Sequence, residues 1–363
     1  MITDSVELLS GALRIYSPTG REGKLASYLC SRMKDLGYKR VRLDRAGNAI
    51  GEAGDGKVSL LLCGHMDTVP GNIPFRSEGG VFSGRGAVDA KSPLCALLSA
   101  GARASDAGVK VTFVGAVAEE GDGIGIQTLM RAGRKYDFAV FGEPSGADRL
   151  TVGYRGRVGM KLSLATGGGH AGSPWAHVSA LDELYSVINA LRGLEENTQG
   201  GNHFRSISAS PTLVSAGTYH NVVPPNCEAT FDIRIPPGTT SSNARKRISS
   251  AVRASVQDST VVSMEFDEAT EPYEADPNSV LCRAFQRAII TTLGRKPVLV
   301  RKTGTGDMNT LASAMRTQCV TYGPGESEYS HTDKEAIPVR DYLDSVKVIE
   351  EAIRQVGHLT YRR

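Results

Sequence analysis

No stretch of this sequence approaches the roughly 20 consecutive apolar residues that a membrane-spanning helix needs. The opening decapeptide, Met1 to Ser10, carries acids where a secretory signal would have an apolar centre. Cysteine is sparse and unpatterned. Cys30, Cys63, Cys95, Cys227, Cys282 and Cys319 show no Cys-x-x-Cys spacing, which argues against the disulfide framework of a small secreted chain and for buried, reduced thiols in the cytoplasm. Strong charge of either sign is missing as well: a formal net charge of +3 calls for no nucleic acid, although a basic rim around a pocket would attract an acidic partner. There is no internal repeat and no low-complexity segment. What is present is a chain of 363 residues, long enough for two domains, with 40% hydrophobic residues to fill a core. Its 41 glycines suit the tight strand-to-helix turns of an α/β protein.

The first part alternates strand and helix signals. Thr19 and Glu22 are spaced as a capping box before a helix that Gly37 would end. Val58–Cys63 (VSLLLC) is a continuous apolar run, the mark of a strand buried on both faces. Ser92–Ala104 predicts a helix, Val109–Val117 a second buried strand, Gly125–Ala132 a short helix and Asp137–Phe141 a third strand. Such alternation implies a mainly parallel sheet with right-handed crossovers. After about Tyr154 the texture changes. Arg157–Thr166, Pro211–Thr218 and Cys227–Ile235 alternate apolar and polar residues, as antiparallel strands with one wet face do, and Ala176–Leu194 and Ser241–Val256 predict two amphipathic helices. From about Tyr273 the α/β texture returns, with helices near Asn278–Leu293, Asp307–Met315 and Arg340–Gln355. The expected fold class is α/β: a mainly parallel-sheet domain of residues 1–154 and 273–363, interrupted by an α+β domain of residues 155–272.

Three predicted strands end in residues able to bind a metal. VSLLLC runs into Gly64-His65-Met66-Asp67, VTFVGAVA into Glu119-Glu120, and DFAVFG into Glu143. Ligands collect beyond the carboxyl ends of parallel strands, so these residues should meet in space. Asp89 precedes a predicted helix, and His331 follows the glycine-rich Gly323-Pro324-Gly325. Taken singly, Asp89 reads as a helix cap and Gly323-Pro324-Gly325 as a turn. Taken together, so many carboxylates and imidazoles in one crevice would repel one another unless cations neutralised them. Imidazole with carboxylate and without thiolate suits Zn first, and Co or Mn as well. Two such ions sharing a bridging carboxylate can clamp a developing oxyanion, leaving one acid as general base.

In these motifs the chain resembles the co-catalytic zinc metallopeptidase and amidohydrolase superfamily of acetylornithine deacetylase, succinyl-diaminopimelate desuccinylase and aminoacylase. The carriers are GHMDTVP at Gly64–Pro70, GRGAVDAK at Gly84–Lys91, AEEGDG at Ala118–Gly123, GEPS at Gly142–Ser145 and SHTDKE at Ser330–Glu335. The resemblance covers nearly the whole chain and implies two divalent ions. Asp89 would bridge them, with His65 and Glu143 completing one site and Glu120 and His331 the other. It further implies Glu119 as general base, Asp67 as a partner orienting His65, and a cis peptide at Asp89–Ala90. Glu143 leans towards branches that hydrolyse N-acyl amino acids. The inserted domain is implied to be a lid and dimerisation domain, making the protein a homodimer. His170 would serve the oxyanion across that dimer, and Asn221 and Arg234 would meet the substrate. Arg234 is suited to clamp an α-carboxylate with two hydrogen bonds.

Lys302-Thr303-Gly304-Thr305-Gly306-Asp307-Met308-Asn309 resembles the Lys-Thr-Gly-Thr-Ser-Asp-Met-Asn of one branch, with Gly306 replacing Ser. That branch releases lysine or ornithine from the terminal glutamate of a small acidic amino-group carrier protein, in lysine and arginine biosynthesis. Asp307, Glu326 or Glu328 would receive the cationic side chain of the product, and Arg155, Arg157 and Arg205 would supply a basic rim for the carrier. The nearest other reading is a free small-molecule deacylase. A non-catalytic carrier- or metal-binding protein is a third, opposed by the general base such a module would not need.

Overall fold

The computed structural model describes residues 2–103, 107–196 and 202–361. The chain packs as two compact units. One comprises Met1–Gly153, Ala275–Arg301 and Gly306–Arg363; the other comprises Tyr154–Glu274 with Lys302–Thr305. The short Lys302–Thr305 segment, read from sequence as part of the metal-binding domain, groups with the second unit.

In the first unit the central sheet runs in the order Lys39–Leu43, Ala49–Ala53, Val109–Ala116, Val58–His65, Phe138–Gly142, Gln318–Thr321, Arg149–Tyr154. The four middle strands are parallel, and the strands next to them, Ala49–Ala53 and Arg149–Tyr154, are antiparallel to them. Parallel strands must be covered on both faces, and Leu60, Leu61, Leu62 and Cys63 are accordingly buried. The helix Lys91–Arg103 sits close against this sheet because Gly64 and Gly142 lack side chains. A Cβ at Gly142 would come within 2.8 Å of Leu97, and one at Gly64 within 3.2 Å of Leu94. This helix follows its predicted course; Ala104, the last residue of the predicted span, lies outside the described residues. The long helix Val339–Tyr361 extends the predicted span at its end.

The Thr19/Glu22 capping box does not form. Helix Gly23–Asp35 starts without a side-chain cap, because both side chains reach elsewhere. Glu22 Oε1 accepts from the Ala118 N–H at 3.1 Å, and the Thr19 hydroxyl donates to Asp67 Oδ2 at 2.9 Å. A local signal has yielded to long-range contacts.

The second unit is a four-stranded antiparallel sheet in the order Ser208–Ala216, Asn226–Ile235, Gly156–Ala165, Val261–Phe266. Its inner face is built by alternation: Val158, Met160, Leu162 and Leu164 on one strand, and Phe231, Ile233 and Ile235 on its neighbour. Helices Ala180–Glu196 and Ser241–Ser255 supply Leu184, Val187, Leu191, Ile248 and Val252 to the same core. The predicted helix start at Ala176 is a short 3-10 turn, Pro174–Ala176, and the α-helix begins at Ala180. Strand Val261–Phe266 was not expected; it starts with two adjacent valines and shows one largely exposed face, which weakens its period-two signal.

Candidate metal centre and active site

Three donors lie where parallel strands end. His65 closes Val58–His65, Glu119 and Glu120 follow Val109–Ala116, and Glu143 follows Phe138–Gly142. Asp89 stands just before helix Lys91–Arg103, joined to Ala90 by a cis peptide. His331 lies in the loop after the Ser327–Tyr329 turn, in a left-handed backbone conformation with φ 64°.

The fold brings these side chains together around Asp89. One carboxylate oxygen, Oδ1, is 3.2 Å from His65 Nε2; the other, Oδ2, is 3.4 Å from His331 Nε2. Glu143 Oε1 is 3.6 Å from His65 Nε2, and Glu120 Oε1 is 2.8 Å from His331 Nε2. Donor atoms of His65, Asp89 and Glu120 all lie within 4.8 Å of one another. Tetrahedral bonds of roughly 2.1 Å to a divalent ion set neighbouring donors about 3.4 Å apart, so most of these spacings suit shared cations.

The proton positions agree. His65 Nδ1 lies 2.9 Å from the Asp67 carbonyl, which only accepts, so Nδ1 carries a hydrogen and Nε2 is turned to Asp89. A proton or a cation must stand between Nε2 and Asp89 Oδ1. Burial disfavours a charged imidazole at His65, but its bonds to Asp67 and Asp89 and the nearby Glu143 and Glu119 hold its pKa well above the usual histidine value. The hydrogen bond to Asp89 and the Glu120 charge likewise push His331 up to about 9. At Asp89 burial is outweighed by the two histidines, which hold its carboxyl far below the usual range.

Glu119 and Glu120 are fixed through their backbone. The N–H groups of four consecutive residues are each accepted by a side chain: Val117 by Asn48 at 3.0 Å, Ala118 by Glu22 at 3.1 Å, and Glu119 and Glu120 by Asp67 at 3.1 and 3.0 Å. Ala118 is left-handed, φ 57°, so this turn is held in a conformation its residue would not choose. Asp67 was expected to hydrogen-bond His65 and fix its tautomer, and it contacts Nδ1. The carbonyl is the closer contact, and the carboxylate, 3.4 Å from Nδ1, chiefly organises the Glu119–Glu120 turn. Burial, reinforced by Glu120 and Asp89 against the pull of His65, pushes Glu119 up to about 7. Asp307, half-buried at the first turn of helix Asp307–Met315, is driven well above the carboxylate range by desolvation and then by Glu119. A Cβ at Gly306 would come 3.8 Å from Glu119 Oε1, so the glycine that replaces the branch's serine keeps a hydroxyl away from this acid.

Two supporting residues carry no distinct signal of their own in the sequence. Glu335 is buried; its Oε1 pairs with Arg85 at 2.6 Å, and its Oε2 accepts the N–H groups of Gly86, Val88 and Asp89 at 2.9, 3.1 and 3.2 Å. Arg85 also donates to the Gly71 and Thr332 carbonyls. Together they hold the Asp89 segment against the His331 loop. The sole hint was that both belong to quoted motifs, GRGAVDAK and SHTDKE.

Most of the remaining expected residues lie in the second unit. His170 pairs with Val222 across a two-stranded ladder, and the Asn221 carbonyl accepts from the Ala171 N–H at 2.9 Å, so His170 and Asn221 are neighbours. His170 is exposed, and its Nδ1 accepts from the Gly172 N–H at 2.9 Å, which leaves Nε2 as the donor of the neutral ring. Arg234 makes a pair of bonds to Asp232, the nearer at 2.6 Å. The expected basic rim is corrected here. Arg155 is buried, donating to Ser206, Ser208 and Arg234, while Arg157 is paired with Asp232 and Arg205 with Glu274. In the first unit Glu326 is taken by Arg149, and Glu328 is exposed.

Residues 61–355 match the model of peptidase family M20/M25/M40. The chain is 34% identical to the LysW-lysine hydrolase of Deinococcus radiodurans over 362 residues, covering 97% of each. It is 30% identical to the LysW-lysine/LysW-ornithine hydrolase of Sulfurisphaera tokodaii over 350 residues, covering 96% of this chain and 95% of that one. Among solved structures, the aminopeptidase PepT of Bacillus cereus superposes with a TM-score of 0.83 at 19% identity, covering 98% of this chain and 99% of that one. A dinuclear metal-binding M20 peptidase of Bacillus subtilis superposes with a TM-score of 0.74 at 13% identity, covering 98% of both. These likenesses are to the fold.

Proposed function

This chain belongs to peptidase family M20/M25/M40, and from that premise we propose that it is a two-cation amidohydrolase releasing lysine or ornithine from the terminal glutamate of a small acidic amino-group carrier protein. It is a hydrolase of the family whose relatives, named for LysW-lysine and LysW-ornithine, match it over nearly its full length. The observation that carries the chemistry is the placement of Asp89, with one oxygen towards His65 and the other towards His331.

Asp89 would bridge two divalent cations, zinc by default and cobalt or manganese on the same donors, with His65 and Glu143 on one side and Glu120 and His331 on the other. When bound, such ions supply Lewis acidity to the amide carbonyl and lower the pKa of water. Glu119 removes a proton from the attacking water as its oxygen bonds to the carbonyl carbon. The same carboxyl then returns that proton to the nitrogen as the C–N bond breaks, and the second water proton passes from the new carboxyl to the amine, leaving a carboxylate and an ammonium group. A carboxyl that burial and neighbouring acids set near neutrality is suited to both transfers. Asp67 and Thr19 hold the Glu119 turn in place, Asp307 receives the product's cationic side chain, Arg234 and Asn221 meet the rest of the substrate, and His170 Nε2 donates to the oxyanion.

The second unit is the proposed lid and dimer domain. Its edge strand Ser208–Ala216 exposes Leu213 and Val214, and the Ala180–Glu196 helix exposes Leu181 and Tyr185, an apolar surface that a second copy would cover. Six free thiols, and among the described residues no helix long and apolar enough to cross a membrane, fit a cytoplasmic place. The test is to incubate purified, metal-loaded protein with lysine- and ornithine-charged carrier and with acetylornithine, and to detect the free amine by mass spectrometry. Release from the carrier adduct is expected; release from acetylornithine alone would make the chain a small-molecule deacylase.

A further inference from the structure

Outside the Asp89 cluster, the first unit holds a cavity of about 440 Å³ that none of the candidate site residues lines. Four arginines stand around it: Arg42, Arg45, Arg131 and Arg134. Arg134 is accounted for by Glu52 at 2.6 Å and by the Tyr136 ring beneath it. Among the described residues the other three make no ion pair. Arg42 donates to the Arg40 carbonyl and Arg131 to the Gln127 amide oxygen, both neutral acceptors. The one carboxylate in the wall, Asp44, is consumed by its own turn. Its Oδ1 accepts the N–H groups of Ala46, Gly47 and Asn48, and its Oδ2 the Asn48 amide. The buried Thr112 also stands in the wall, beside Tyr136.

We propose that this cavity binds a small organic polyanion, carrying at least two carboxylate or phosphate groups. Three exposed arginines around one concavity repel one another in the free protein, and an anion between them turns that repulsion into charge-assisted hydrogen bonds. The planar donor forks of arginine suit carboxylate and phosphate alike. A volume of this size holds a compact metabolite rather than a folded partner.

The experiment is isothermal titration of the metal-loaded, full-length protein with tricarballylate and, separately, with fructose 1,6-bisphosphate, repeated on Arg45→Ala/Arg131→Ala. These two arginines lie outside the proposed catalytic machinery, and turnover of the double variant without added anion is expected to match that of the unaltered protein. Binding of at least one probe in the millimolar range or tighter is expected, weakened about tenfold or more in the double variant. The arm that binds more tightly identifies carboxylate or phosphate as the ligand class. Equal affinity in the double variant would put the anion elsewhere and overturn the site. Binding of polyglutamate with neither small probe bound would also overturn it, in favour of an acidic protein segment.

Discussion

Replacing Glu335 by glutamine removes one charge and almost no volume, which makes it a clean probe of how the Asp89 segment is held. The native carboxylate uses one oxygen for Arg85 at 2.6 Å and the other for three backbone N–H groups between 2.9 and 3.2 Å. A glutamine has a single acceptor. If its oxygen faces the three N–H groups, its NH₂ faces the Arg85 guanidinium; if it faces Arg85, the NH₂ meets three donors. Either orientation leaves buried donors unmatched. Breaking a buried ion pair costs roughly 3–5 kcal/mol, and the surviving acceptor recovers part of this, so a loss of about 3 kcal/mol is expected. For a chain of 363 residues that lowers the melting temperature by about 4 °C. One of the three N–H groups is that of Asp89 itself, so the loss should extend to metal affinity, by roughly 10–100-fold as for other residues that orient ligands. The assays are thermal denaturation of the metal-free protein and competition with a chromophoric chelator. A variant melting within about 1 °C of the unaltered protein and binding metal equally well would refute the reasoning.

Three further outcomes are expected. Glu119→Gln should retain its metal while losing turnover by roughly 10²–10⁴-fold, measured as kcat alongside metal content; near-normal turnover would remove Glu119 from the proton transfers. His331, raised to about 9, keeps its proton at neutral pH in the metal-free protein, so an incoming cation must displace it. Apparent metal affinity should therefore climb with pH and level off above about 9, and a flat profile in chelator competition would contradict this. Glu52, held near 2 by Arg134 and Arg40 despite its burial, contributes stability above the ordinary carboxylate pKa and loses it as pH falls through about 2. Glu52→Gln should cost about 2 kcal/mol at neutral pH, with the gap in melting temperature closing between about pH 4 and pH 2.

The convergence of the site was legible because each donor is written into a local pattern. VSLLLC announces a doubly buried strand, so the position of His65 at its carboxyl end follows from one segment read alone, and the same holds for Glu119–Glu120 and Glu143. The α/β class and the alternating strands of the second unit were legible for the same reason. What escaped depends on partners far away in sequence. Thr19 and Glu22 match a capping box, yet Asp67 and the Ala118 N–H capture them across 48 and 96 residues. Arg155 reads as a surface cation and lies buried among the Ser206 and Arg234 carbonyls, and the role of Glu335 rests on Arg85, 250 residues before it. No periodicity reports such pairings.

The central claim is that Asp89 lies between two cations. Diffraction data collected at the zinc absorption edge, from crystals of the zinc-loaded protein, test it most directly. Two anomalous peaks are expected, one against each Asp89 oxygen, with His65 and Glu143 on the first and His331 and Glu120 on the second. No peak at Asp89, or zinc bound only elsewhere while these side chains diverge, would contradict the account.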